Sequence, residues 1–182
     1  MLSEAEKQFL LKVARRSVES AVRNSPEFET TTSLPPLSEP CGAFVTLRIA
    51  NSLRGCIGYV DPIKPLLETV RIVSAKAALE DTRFAPISPD ELPDVWIEIS
   101  VLSPMQRISR IEEIEVGKHG VVVQLGRLRG LLLPQVAVEF GWNRETFVSQ
   151  TARKAGLPAD CWNEPGVQVY IFSAEIFSER SS

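Results

Sequence analysis

A three-residue motif occurs once in each half of this sequence: Leu53-Arg54-Gly55 recurs as Leu128-Arg129-Gly130. Each copy follows an alternating strand pattern and a turn, and each precedes a proline near a predicted helix start and then a long predicted strand. The shared order of elements predicts an internal duplication, with hairpin–helix–strand units over residues 42–104 and 117–177. The pattern therefore predicts an N-terminal helix followed by two hairpin–helix–strand units.

The N-terminal segment has the pattern of an amphipathic helix over residues 3–23. Ser3 and Glu6 have the spacing of a capping box, in which each side chain bonds the other residue's backbone N–H. Residues 24–40 carry several prolines among serines and threonines, which predicts a loop. We therefore expect residues 1–182 to form a single domain that consists of this helix and the two units.

The second predicted unit contains a helix that is interrupted. The helix begins at Pro134, and Gly141-Trp142 interrupts it. Asn143 is a residue type that caps helices, because its side chain accepts a hydrogen bond from an unpaired backbone N–H of the first turn. The pattern therefore predicts two helical segments, of which the second begins after Asn143.

Composition excludes several classes of protein. A chain of 182 residues that is 44% hydrophobic and 24% charged is typical of a globular protein with a sizeable core. The net charge of −3 and the scattered basic residues argue against a nucleic-acid partner bound through its phosphates. No apolar run approaches the roughly 20 residues of a membrane span, and no signal peptide is visible. We therefore expect a cytoplasmic protein without a membrane partner.

The cysteines and the histidine limit the metal chemistry. Cys41, Cys56 and Cys161 are odd in number and have no close-spaced pair, which is typical of reduced thiols in a cytoplasm. Because His119 is the only histidine, a site with two histidine ligands is excluded, and we predict no metal site. The sequence contains neither a glycine-rich phosphate loop nor the Gly-x-Ser-x-Gly elbow motif. No motif therefore indicates a cofactor, and the cofactor is unknown.

The first motif copy continues as Cys56-Ile57-Gly58, and this stretch is the strongest candidate for a site. Gly55 and Gly58 allow the backbone to approach another group closely. Arg54 is a positive charge near the thiol of Cys56, and such a neighbour lowers a thiol pKa and favours nucleophilic chemistry. The alternative is that Cys56 is a structural thiol, which packs as a small hydrophobic residue.

Four further residues are candidates for the same site. Glu98 lies within a strand-forming run, where a carboxylate needs water or a partner, and it is a candidate base. If the two units pack face to face, His119 could serve as the base for Cys56; the alternative is a surface or capping histidine. Asp81 and Arg83 either pair with each other at a helix end or form a polar wall of the cleft.

The stretch Leu-Arg-Gly-Cys-Ile-Gly resembles the signature of the AMMECR domain family, which is named after a human chromosomal-region disease candidate. Other blocks resemble the family in the same order along nearly the whole chain, at residues 81–84, 91–92, 97–104, 117–120, 130–137 and 154–158. One small departure is Thr82, where members of the family often have proline.

This resemblance implies an α+β fold of two similar units with exchanged terminal strands, plus an N-terminal helix. It places the site around residues 53–58, at Arg54, Cys56 and the backbone of Gly55 and Gly58. Similar prokaryotic domains occur beside or fused to a MEMO-type protein and a radical-SAM protein, which implies a three-component system (AmmeMemoRadiSam) with these two partners. The resemblance implies no particular reaction, because the biochemical activity of the family is not established.

Two functions follow as hypotheses. In the first, the protein is an enzyme or enzyme component with a cleft between the two units. There Cys56 is the reactive thiol, Arg54 is its positive neighbour or an anion clamp, and Glu98 and His119 carry protons. In the second, the protein is a non-catalytic module that docks onto a MEMO-type or radical-SAM partner, and Cys56 only packs. The sequence indicates neither the substrate nor the oligomeric state.

Overall fold

The computed structural model describes residues 1–26, 30–32 and 34–180. Residues 27–29 and 33 of the predicted loop, and residues 181–182 of the predicted domain, lie outside this part. The described helices are α1 (Glu4–Val22), α2 (Pro35–Ser38), α3 (Leu66–Leu79), α4 (Pro134–Glu139) and α5 (Arg144–Lys154), with 3₁₀ turns at Ile111–Glu113 and Cys161–Asn163. The strands are β1 (Ala43–Ile49), β2 (Ser52–Tyr59), β3 (Val95–Leu102), β4 (Gln106–Ile108), β5 (His119–Leu125), β6 (Leu128–Leu132) and β7 (Gln168–Ser178). The predicted α+β class is confirmed.

The chain divides into two compact units, which are described separately. The first unit contains Met1–Leu102 and the described residues from Glu175 onward, and the second contains Ser103–Ala174. In the first unit α1 begins as predicted, because Glu6 N donates to Ser3 Oγ (3.3 Å) and Ser3 N donates to Glu6 Oε2 (2.7 Å). The prediction of a loop is wrong at α2. Two prolines occupy the first turn of this short helix, where no backbone N–H is needed.

The sheet of the first unit is antiparallel, with β1 between β2 and β3. Alternate residues of β1 are fully buried in a core shared with α1 and α3: Ala43, Val45 and Leu47. Because strand side chains alternate, Thr46 points to the opposite face of the sheet. This opposite face carries the polar residues that concern the candidate site.

The second unit repeats the arrangement of hairpin, helix and strand. Its antiparallel pairs join β5 to β6, β5 to β7 and β4 to β7. Phe147 of α5 is fully buried against Val121 and Val123 of β5 in the core of this unit. The predicted interruption is confirmed: α4 ends before Gly141, and Asn143 Oδ1 accepts from Thr146 N at 2.9 Å to begin α5.

The two motif copies occupy equivalent places. Gly55 lies opposite Leu47, and a Cβ at Gly55 would lie 2.1 Å from the backbone oxygen of Ala77 in α3. Gly130 lies opposite Val123, and a Cβ there would lie 2.3 Å from the backbone oxygen of Thr151 in α5. Each glycine is thus the point where a helix backbone touches the hairpin, which supports the predicted duplication.

The resemblance implies that the terminal strands of the two units are exchanged. The structure shows this for the end of β7, which belongs to the first unit, but not for β3, which stays in its own unit. β3 pairs with β1 and β7 pairs with β5, so each long strand joins the hairpin of its own unit. The pairing with β5 ends at Ser173, and the chain from Glu175 onward belongs to the first unit, where Glu179 N donates to Ile97 O at 3.0 Å. β7 is long enough to belong to both units, because it continues for several residues after its pairing with β5 ends.

Candidate functional site around Cys56

Cys56 lies on β2, which is the edge strand of the first unit's sheet. Leu47 is opposite Gly55, but the register shifts by one residue before Leu53, so Arg54 has no cross-strand partner on β1. Such a β-bulge absorbs one residue and changes which face the later side chains occupy. As a result Gly55 faces the helices, and Cys56 faces the opposite side.

A thiol, a hydroxyl and a carboxylate form a row on that opposite face. Thr46 lies between Cys56 on β2 and Glu98 on β3 in the pairing register, and directly paired residues share one face. The Thr46 hydroxyl donates to Cys56 Sγ at 3.3 Å. Cys56 and Glu98 are half-buried, and their Cα atoms are about 10 Å apart from the usual pair spacings. The structure therefore brings two of the predicted site residues onto one face.

Asp81 and Arg83 cover the free edge of β2 at Cys56. Cys56 N donates to Asp81 Oδ2 at 2.8 Å, and Arg83 Nη2 donates to Cys56 O at 3.3 Å. Arg83 also donates to both oxygens of Asp81, at 2.9 and 2.7 Å. The predicted pairing of these two residues is confirmed. Together they satisfy the backbone groups that an edge strand otherwise leaves unpaired.

The carboxylate of this pair is buried and stays ionised. The side chain of Asp81 is 6% exposed and that of Arg83 is 56% exposed. The hydrogen bonds from Arg83 hold the pKa of Asp81 well below its usual range, and the Cys56 N–H adds to this effect against the opposing effect of burial. The same hydrogen bonds raise the pKa of Arg83.

Arg54 is engaged away from the sulfur. Its Nε and Nη2 donate to the two oxygens of Glu91, at 2.8 and 3.0 Å. Its guanidinium also donates to the backbone oxygens of Ala85 (2.7 Å) and Pro86 (3.2 Å). Arg54 thus fastens the loop between α3 and β3 to the bulge, while the guanidinium that contacts the Cys56 backbone belongs to Arg83. Its predicted role beside the thiol stays a prediction.

The ion pair between Arg54 and Glu91 makes a testable contribution to stability. Hydrogen bonds from Arg54, and then from Ser88 N, lower the pKa of Glu91 from 4.5 to about 2. A lowered pKa means that the pair stabilises the fold above about pH 4.5, and that this stabilisation is lost as the pH falls towards 2. For a partly exposed pair we expect roughly 1 kcal/mol.

We expect Arg54→Gln to raise the pKa of Glu91 towards its usual value, as measured by NMR titration of the carboxyl carbon. Arg127→Gln is the matched control, since Arg127 is an exposed arginine of the second unit. An unchanged Glu91 titration in Arg54→Gln would contradict the assigned contact.

The glycines on either side of Cys56 have packing roles. Gly55 touches α3, as described above. Gly58 lies opposite Phe44, and a Cβ at Gly58 would lie 2.3 Å from atoms of the Phe44 ring. An aromatic side chain that covers a cross-strand glycine stabilises such a pair. Their predicted part in lining a substrate cleft stays a prediction.

His119 belongs to the second unit, at the start of β5. Its Nδ1 accepts a hydrogen bond from Glu115 N at 3.1 Å. The side chain of His119 thus bonds the backbone of the segment that precedes β5. A role for His119 as the base for Cys56 stays a prediction.

The other two thiols lie in less reactive surroundings. Cys41 Sγ donates to Leu102 O at 3.3 Å, and burial raises the pKa of the Cys41 thiol. Cys161 is buried in the core of the second unit, and burial raises its pKa as well. Because thiolates are the reactive form, both cysteines serve as internal references for the reactivity of Cys56.

Comparison with known proteins decides the family. The family model described as AMMECR1 matches residues 11–177. The chain belongs to the AMMECR1 family. A protein of Thermococcus gammatolerans is 46% identical over 184 residues, which cover 95% of this chain and 90% of that protein. A protein of Methanothermobacter thermautotrophicus is 43% identical over 186 residues, which cover 98% of this chain and 96% of that protein.

A solved structure shares the fold of this AMMECR1-family chain. The crystal structure of an uncharacterised protein from Pyrococcus horikoshii matches with a TM-score of 0.86 and 42% sequence identity, over 94% of this chain and 90% of that one. The names of these relatives state no activity. Among the described residues of this chain, no helix has both the length and the apolar character that a membrane crossing requires.

Two residues that matter at this AMMECR1-family site were missed from the sequence. Thr46 lies on the polar face of β1 and pairs with Cys56. If the pairs are counted back from the turn without a bulge, Cys56 is matched with Val45 instead, and the bulge is not visible in the sequence. Glu91 lies in a turn-rich segment without periodicity, and its only signal was the family resemblance of residues 91–92. The alternation of β1 offered the better of these two signals.

Proposed function

We propose that this AMMECR1-family protein is a cysteine-dependent enzyme, or a component of one, that acts on a small substrate at the Cys56 face of the first unit. One observation supports the proposal above others: the thiol is half-buried beside a hydroxyl donor rather than sealed in apolar packing. The expected location stays the cytoplasm, where such a thiol is kept reduced.

The chemistry assigns a role to each member of the row. The Thr46 hydroxyl stabilises the anionic sulfur of Cys56 by its hydrogen bond. The thiolate adds to an electrophilic carbon of the substrate, and as the S–C bond forms, a π bond to that carbon breaks and its electron pair moves to the other atom of that bond. Glu98 is next along the row and accepts the thiol proton in this proposal. Arg83, which contacts the Cys56 backbone, supplies the positive charge that the sequence assigned to Arg54.

The test is the reaction rate of each thiol with iodoacetamide in the folded protein, followed by mass spectrometry of the labelled peptides. We expect Cys56 to react about tenfold faster than Cys41 or Cys161, because burial raises the pKa of both reference thiols. Equal rates for all three cysteines would remove the support for thiolate chemistry.

A matched variant separates chemistry from simple exposure. Thr46→Val keeps the shape of the side chain but removes the hydroxyl donor. We expect it to slow the labelling of Cys56 about threefold, and to leave Cys41 unchanged, if the hydroxyl stabilises the thiolate. Loss of the fold in this variant would be detected by its unfolding transition, and Thr46→Ser then provides the second comparison.

One observation favours a second function, that of a non-catalytic adaptor. Gly130 of the second motif copy makes the same close approach to a helix as Gly55, and no cysteine follows it, so the glycine of the motif has a packing role apart from chemistry. In both proposals the partners are a MEMO-type protein and a radical-SAM protein, as the family resemblance implies. Cys56→Ala distinguishes the two: an adaptor keeps partner capture and the activity of the assembled system, whereas an enzyme loses only the activity.

A further inference from the structure

A cavity of about 700 Å³ lies entirely within the second unit. It is lined by residues of β4, β7 and both 3₁₀ turns. Sites for small molecules usually have volumes of about 300–1,000 Å³, so this cavity is large enough for a ligand. None of the residues around Cys56 lines it, and an inference about this cavity is therefore independent of the proposed function.

One part of the cavity wall is apolar. Ile108 of β4 and Val169 of β7 are directly paired, and each is 7% exposed. Trp162, in the turn at Cys161–Asn163, is half-buried and packs against the same core. An indole that is fixed on one side by a core and lines a cavity on the other provides a flat surface for an aromatic ring.

The charged side chains that line the cavity have a net positive charge, because two are arginines and one is a glutamate. Arg107 and Arg110 both line it and are exposed, and neither forms an ion pair with any residue that the structure describes. Glu112 is the one carboxylate in the lining. Glu113 accepts from Ser109 N and Arg110 N, at 3.0 Å each, and so orders the segment that carries Arg110.

From these features we infer that the second unit binds a small anion that carries a flat aromatic ring. The ring stacks on Trp162 against the apolar wall, and the anionic group is held by Arg107 and Arg110. A planar guanidinium group can form two parallel hydrogen bonds to either a phosphate or a carboxylate. An anionic group of either kind therefore suits this cavity. This site is separate from the Cys56 face, because all its lining residues belong to the second unit.

Isothermal titration calorimetry with four probes tests the inference on the full chain. AMP combines a ring with a phosphate, and indole-3-acetate combines a ring with a carboxylate; adenosine has only the ring, and ribose 5-phosphate has only the anion. We expect AMP or indole-3-acetate to bind with a Kd of about 1 mM or lower, and the two incomplete probes about tenfold more weakly. The stronger of the two complete probes identifies the anionic group.

Variants locate the binding. Arg107→Gln with Arg110→Gln should weaken the binding of the complete probe about tenfold, and Trp162→Leu should do the same. Arg127→Gln, at an exposed arginine outside the cavity, should leave it unchanged, as should Cys56→Ser. Absence of binding for both complete probes, or equal binding to the double variant in its folded state, would overturn the inference. Failure of the thiol labelling test would leave this result untouched.

Discussion

Gly55→Ala should lower the free energy of unfolding by roughly 3 kcal/mol or more, which would be among the largest single effects in this protein. The added Cβ would lie 2.1 Å from the backbone oxygen of Ala77. A flexible side chain could move aside, but the backbone of α3 is held in place by the packing of Ala77 and its neighbours in the core of the first unit. The variant must therefore push the helix away from the hairpin, which opens the core of the first unit. Urea denaturation followed by circular dichroism measures the loss.

Two glycines provide the comparison. Gly130→Ala should cause a similar loss, because its Cβ would lie 2.3 Å from the backbone oxygen of Thr151. Gly126→Ala should cost only about 1 kcal/mol, since its φ of +58° disfavours alanine but nothing lies within 4 Å of the added atom. If Gly55→Ala unfolds at the same urea concentration as Gly126→Ala, the close approach of α3 is contradicted.

Asp81→Asn should lower the free energy of unfolding by roughly 2–4 kcal/mol at neutral pH. The amide keeps the size of the side chain but removes the charge that faces Arg83, and it weakens the acceptor for Cys56 N. The pKa of Asp81 is lowered in the folded state, so its stabilisation is present above the unfolded value of about 3.8 and is lost as the pH falls through the folded value. The difference between wild type and variant should therefore shrink in acid.

Thermal or chemical unfolding of both proteins between neutral and acidic pH measures this dependence. Asp90→Asn is the matched control at an exposed aspartate on the same loop, and it should change stability by less than about 0.5 kcal/mol. A double-mutant cycle with Arg83→Gln isolates the pair. A constant difference between wild type and Asp81→Asn at every pH would show that the ion pair does not carry the effect.

The features that the sequence predicted well are those with local causes. The capping box of Ser3 and Glu6 and the cap at Asn143 depend on residues a few positions apart, so their spacing is visible along the chain. The pairing of Asp81 with Arg83 is equally local. The repeated Leu-Arg-Gly motif was visible because each hairpin places a glycine against a helix backbone.

The features that the sequence did not predict depend on register and on distant contacts. Because Arg54 has no cross-strand partner, Cys56 is paired with Thr46. A bulge of this kind leaves no regular pattern in the sequence. Glu91 meets Arg54 only because the loop before β3 folds back on β2. The guanidinium that bonds the Cys56 backbone is that of Arg83, which is distant in sequence, and its position required the helix end to be known.

The crossing of β7 into the first unit affects how the protein is made. Glu175 pairs with Lys7 at 3.2 Å and accepts from Leu2 N, and Glu179 accepts from Arg15 Nε at 2.9 Å. Chains emerge from the ribosome from the N-terminus, at about 5–20 residues per second. The first unit is therefore translated first, but it receives its last contacts only after β7 has been made. A nascent fragment that stops at Leu102 lacks that strand. A cut at the sequence boundary between the two units would therefore separate the end of β7 from the unit to which it belongs.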